Sequence, residues 1–235
     1  MSGLAVKYYI EDVPQNLCND TDAEELLVGL TESFPSDTTD SYLKDLSVMN
    51  LKCLSLFLVK NQKTTILEKI LPIISETNIN LNELIIDGFH PLHYSVDSNN
   101  IALLSLLAEH YLYIDHTNPY AIRNSDGFYL EYATPLHFAT LLGEINIIKF
   151  LLNKGADVHS TYVMFHKDLG HFTELPILNF PAYYGMFKVV KLLLDYGADP
   201  YKVNNRGYNS IHVAEVNGHY NIRELLINHK RQNIN

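Results

Sequence analysis

Three histidines, His159, His166 and His171, fall seven and five residues apart in a single stretch. Imidazole is a good zinc ligand, but zinc sites are built from three or four groups at tight spacing. No cysteine and no His-x-x-x-His pair accompanies these three, so no metal is assigned to them. The chain's two cysteines, Cys18 and Cys53, would be nucleophiles only beside a base. Cys53 lies in an apolar helical stretch and reads as buried. Cys18 sits among acids, which raise a thiol pKa rather than lower it. Two cysteines give no disulfide framework, and the simpler expectation is a reducing, cytoplasmic setting. Neither a G-x-x-x-x-G-K-[ST] loop nor G-x-G-x-x-G, H-E-x-x-H or G-x-S-x-G occurs. No catalytic residue, cofactor or metal follows, and the chain reads as non-enzymatic.

The remaining chemistry is that of association. Tyr120, Arg123, Tyr129 and Tyr132 fall in one polar connecting stretch, 116–133. Tyr162, Phe165, His166 and Phe172, with Met164, fall in a second, 158–173. Tyr183 and Tyr184 follow at the end of a short helical segment. Aromatic groups and Met are enriched in the cores of protein interfaces. Large apolar groups in loops either meet a partner or pack on one another, and the residues alone leave both open. Arg123, Glu131, Lys167 and Asp168 would set the polarity of such a surface.

The elements that hold these loops are helical. Thr134 is a natural N-cap, its hydroxyl accepting from free first-turn N–H groups. Pro135 then takes the first helical position, where a missing N–H costs nothing. Gly143 ends a short helix, and Ile147, Ile148, Leu151 and Leu152 give a second helix its apolar stripe. Gly155 suits a left-handed C-cap. The run Thr134-Pro135-Leu136-His137-Phe138-Ala139 through Gly155-Ala156-Asp157 closely resembles the ankyrin repeat, whose signature is T-P-L-H.

Further copies support the resemblance. His90-Pro91-Leu92-His93 leads into Ile101–Leu107, Leu175-Pro176-Ile177-Leu178 into Val189–Leu194, and Asn209-Ser210-Ile211-His212 into Ile222–Leu226. Positions 91, 135, 176 and 210 are 44, 41 and 34 residues apart. The family's period is about 33, so the first two intervals carry roughly eleven and eight extra residues. Repeats are expected at 87–115, 134–157, 175–199 and 204–229, with a degenerate one at 51–82 aligned at an offset of 36. In the third, Leu178 stands for the motif histidine, and Pro181 should distort the first helix. Residues 1–50 read as an acidic helical N-terminal cap on the repeat domain 51–235. Thr21 and Glu24 have capping-box spacing there.

What the resemblance implies is an all-α ankyrin-repeat solenoid with extended hairpin fingers, Asp126-Gly127 suggesting a hairpin tip. His93, His137 and His212 match the family's structural histidine, which bonds to a neighbouring loop. The implied function is protein–protein binding through the two long fingers and the concave first-helix face. A second reading is an effector or inhibitor that blocks an enzyme's active site. High Asn, Ile and Tyr content without Trp fits the effector and host-range type of ankyrin protein.

Charge narrows the partner. The net charge is −10, and residues 1–50 hold ten acids against two lysines, so −8 of it lies there. Phosphate binding needs clustered Lys and Arg, so nucleic acid and anionic membrane are not expected. No apolar run reaches the roughly 18 residues of a membrane span. The first ten residues lack the pattern of a secretory signal. A monomer that binds another protein is the expectation.

Overall fold

The computed structural model describes residues 9–10, 24, 28, 48–76, 80, 84–86, 89–110, 113–118, 121–123, 128–166 and 170–232. The expected N-terminal cap falls almost wholly outside them. So do Cys18, Tyr120, Lys167, Asp168 and the expected hairpin tip at Asp126-Gly127. The chain divides into two compact units, Asp12–Tyr113 and Met1–Glu11 with Ile114–Asn235.

The first unit holds two helix pairs. Helix α1, Val48–Lys60, is followed by α2, Thr64–Ser75, and α3, Pro91–Asp97, by α4, Ile101–His110. α1 packs on α3 and α2 on α4. Leu67, Ile70, Leu71 and Ile74 of α2 and Leu103, Leu104 and Leu107 of α4 are all buried. At roughly 1.5–3 kcal/mol for each fully buried side chain, these stripes dominate the unit's stability. α2 runs through Pro72 to Ser75, so the proline falls in the last turn without ending the helix. Cys53 is buried on α1 and disulfide-bonded, which corrects the expectation of a reduced thiol.

The second unit holds three helix pairs. They are α5, Pro135–Leu142, with α6, Ile145–Asn153; α7, Asn179–Tyr183, with α8, Phe187–Asp195; and α9, Ser210–Val216, with α10, Tyr220–Gln232. First helices pack on first helices (α5 on α7, α7 on α9) and second on second (α6 on α8, α8 on α10). Each second helix buries a 3.6-period stripe, such as Ile147, Ile148, Leu151 and Leu152 on α6. Tyr196 Oη donates to Asn153 Oδ1 at 2.6 Å, tying the ends of neighbouring second helices.

The turn between paired helices sets the true register. Gln62, Asn99, Gly143, Gly185 and Gly218 all have φ between 50° and 75°, the left-handed region. They lie 37, 44, 42 and 33 residues apart. The proline-based spacings of 41 and 34 and the offset of 36 are therefore each one residue out. Pro176 stands at the cap position of Thr134, and Asn179, not Leu178, stands where His137 does. α7 begins at Asn179, which places Pro181 in the first turn. An N–H there has no intrahelical partner to lose, so the helix is shortened rather than kinked.

Five strands form one antiparallel sheet in the order β1-β2-β3-β4-β5. They are β1, Tyr9–Ile10; β2, Ile122–Arg123; β3, Phe128–Glu131; β4, Thr161–His166; and β5, Gly170–Pro176. The two long fingers are thus two hairpins, joined because β3 pairs with β4, Phe128 opposite His166 and Tyr129 opposite Phe165. β1 pairs with β2, Tyr9 opposite Arg123; a strand here was not foreseen in a stretch read as a helical cap.

His137 joins α5 to the sheet. Thr134 Oγ1 accepts from His137 N, while His137 Nδ1 accepts from Thr134 N at 3.1 Å. Nδ1 is therefore the acceptor, and Nε2 donates to the Ser160 carbonyl at 3.3 Å. The ring stacks on Tyr162 of β4 at 4.8 Å. Burial pushes the imidazole pKa down from 6.5 to about 4, against the opposing pull of the Ser160 carbonyl and Asp157.

Two outcomes follow for stability. A Cβ on Gly143 meets nothing within 4 Å, whereas one on Gly185 falls 2.7 Å from the His219 ring, and both glycines have positive φ. Gly143→Ala should cost only the left-handed strain of about 1 kcal/mol. Gly185→Ala should cost about 1–3 kcal/mol more, since His219 must leave its bond to the Tyr183 carbonyl. Urea midpoints of the two variants measure the difference. For His137, the folded pKa lies below the unfolded one, so the unfolded chain binds more protons. Its contribution is complete above about pH 6.5 and is lost as pH falls toward about 4, roughly 3 kcal/mol in all. Unfolding at about pH 7 and about pH 4.5 should show this loss in the wild type and a smaller one in His137→Gln.

Candidate functional site

The sheet has two chemically distinct faces, because side chains alternate along a strand. Phe128 and Leu130 of β3 and Tyr162 of β4 are buried and define the inner face. Register places Met164, His166 and Phe172 on it as well. Tyr129, Phe165 and His171 lie on the outer face, with Tyr129 to Phe165 at 6.0 Å and Phe165 to His171 at 4.8 Å. His166 and His171 thus point to opposite faces. Among the described residues no group of three or more His, Cys, Asp or Glu gathers for a metal ion.

Between the inner face and the first helices α7 and α9 lies an open cavity of about 470 Å³, its mouth included. Phe128, Met164, Phe172 and Leu175 form its sheet wall, and Asn179, Phe180, Tyr183 and Tyr184 its α7 wall. Asn204, Tyr208 and Val213 close it from the next repeat. The rings brace one another: Phe180 to Tyr184 is 4.5 Å, Tyr183 to Tyr184 is 4.9 Å, and Phe128 to Tyr183 is 6.2 Å edge-on. No carboxylate or ammonium group is among the lining side chains.

The turn 204–208 is held by its own asparagine. Asn204 Oδ1 accepts from Arg206 N at 2.9 Å and Tyr208 N at 3.1 Å. Asn205 N donates to the Thr173 carbonyl of β5 at 3.2 Å, fastening the turn to the sheet. That geometry lays the Arg206 guanidinium over the Phe172 ring at 4.2 Å. Asn179 is 3% exposed. Its Nδ2 donates to the Tyr208 carbonyl at 3.5 Å, a long bond. Its Oδ1, sealed from water, has no partner. The Tyr208 carbonyl can only accept, so it fixes which end of the amide is the nitrogen.

Of the residues singled out from sequence, Phe172, Tyr183 and Tyr184 meet at this cavity, and His166 lies beside it against Phe128 at 4.6 Å. Tyr129 and Phe165 share the opposite face of the sheet. Tyr132 follows β3 with φ 57° and is 61% exposed. Tyr162 is 2% exposed, stacked on His137; it belongs to the core and is withdrawn from the contact set. Only the backbone of Arg123 is described, in β2. Phe180, Asn179, Asn204, Arg206 and Tyr208 were missed. Aligning the repeats on their glycines rather than their prolines would have put Asn179 at the motif-histidine position.

Positive φ marks another repeated position. Tyr132, Glu174 and Gly207 have φ of 57°, 55° and 78° and recur at 42 and 33 residues, the same spacings as the helix turns. Gly207 adopts this conformation freely, but a tyrosine there is strained.

No helix among the described residues is long and apolar enough to cross a membrane. A search of curated protein sequences finds no significant match. Two family models do match: ankyrin repeats (3 copies) over residues 55–162, and ankyrin repeats (many copies) over residues 182–227. With helix pairs stacked first on first and second on second, turns of one conformation, and these matches over well more than half of its length, the chain belongs to the ankyrin-repeat family.

Proposed function

We propose that this protein is a non-enzymatic binding module that holds a partner protein through its finger sheet and the first-helix side chains beside it. Ankyrin repeats are generally protein–protein interaction modules, and fold alone does not choose the surface. The observation that carries the choice is Tyr132. A bulky residue occupies a left-handed position that glycine fills in a later repeat, at a cost of about 1–2 kcal/mol. What is gained is an aromatic side chain 61% exposed at the foot of a finger. Tyr183, 38% exposed at the cavity, and the Tyr129–Phe165 pair extend the apolar contact surface.

This reading has a test in which stability and binding move in opposite directions. Tyr132→Gly should raise the unfolding free energy by about 1 kcal/mol. Combined with Tyr129→Ser and Phe165→Ser, it should cut capture of the partner from cell lysate at least about tenfold, as loss of interface anchors does. A folded triple variant that captures the same proteins in the same amounts would remove the fingers from the binding surface. If the captured protein is an enzyme, its activity with wild type and variant separates an adaptor from an inhibitor.

A further inference from the structure

We propose that the cavity between the sheet and helices α7 and α9 receives the indole side chain of a tryptophan presented by the partner. The inference rests on the binding-module reading and adds the chemistry of one anchor. Its volume, about 470 Å³ with the mouth, lies in the roughly 300–1,000 Å³ range of pockets that take ring-sized groups. Its walls are rings and apolar chains, so the occupant's body is apolar and flat.

Polarity selects among rings. The one unmet polar atom in the wall is an acceptor, Asn179 Oδ1. A buried acceptor without a donor is costly, and an occupant that supplies one N–H removes that cost. Phenylalanine has no donor to give. Tyrosine gives an O–H but brings an acceptor of its own to be met. A cationic side chain would face the Arg206 guanidinium over Phe172, with no carboxylate in the lining to offset it. Indole has a single N–H and accepts nothing, which matches the site's one requirement. The chain itself contains no tryptophan, so the group must come from outside.

The absence of tryptophan also makes the test clean, because indole emission then arises from the probe alone. N-acetyl-L-tryptophanamide titrated with the wild-type protein should show a saturable blue shift, with Kd on the order of 1 mM for so small a ligand. The benzothienylalanine analogue, in which sulfur replaces the N–H, should compete about tenfold less well. Asn179→Leu should abolish that preference. If this variant does not fold, the two probes on the wild type decide alone. Equal affinity for both probes, or no saturable shift at about ten times the expected Kd, overturns the inference. Tighter binding of free zwitterionic tryptophan than of the amide also overturns it, since the site would then serve a metabolite. A failure of both probes while the wild type still captures its partner and the finger variant does not leaves the binding-module reading standing and sinks only the indole.

Discussion

A pair of helices seven to thirteen residues long has an apolar stripe and no means of covering it alone. Everything in this chain is arranged around that constraint. The stripes of second helices meet the next pair's stripes, and first helices close the other side. For the stack to propagate, each pair must turn at one angle, and that angle is set by a residue in the left-handed region. Four of the five positions that make this turn hold glycine or asparagine, the residues that adopt it at least cost. With the turns fixed, length accumulates only in the fingers, because an insertion inside a pair would separate the stripes.

The long fingers bring a second constraint. Extra backbone carries N–H and C=O groups that need partners. Here the two hairpins meet that need by pairing with each other, β3 with β4. Their alternation then sorts the aromatic residues into two sets. One seals the sheet against the helices, with Phe128 and Tyr162 buried. The other, Tyr129 and Phe165, remains on the far side. Self-packing and partner contact, which composition left as alternatives, belong to opposite faces of one sheet.

Much of the fold was legible because Thr134-Pro135-Leu136-His137 and Gly155-Ala156-Asp157 encode caps, and caps are local. The second repeat's helices, its histidine and its end turns all stand where the motif puts them. Register was not legible in the third repeat, where a proline at 176 imitated the motif proline one position early. The cavity was legible only in part. Tyr183, Tyr184 and Phe172 were visible as aromatic groups, but Asn179, Arg206 and Tyr208 matter through neighbours more than twenty residues away. A pairing between hairpins, which decides that Tyr162 is inside and Tyr129 is not, leaves no signal in either hairpin separately.

The exchange of a histidine for an asparagine at one repeat position has a consequence for how the second unit answers acid. His137 and Asn179 perform the same service, each reaching across to a carbonyl of the following loop, at Ser160 and at Tyr208. The imidazole can take up a proton and lose its role as acceptor toward Thr134; an amide gains none in the same range. Acidification therefore loosens the two ties unevenly. The root of the β4–β5 hairpin, held by His137, yields first, while the turn that closes the aromatic cavity keeps its fastening. The unit comes apart from one end, in an order written by a single side-chain difference.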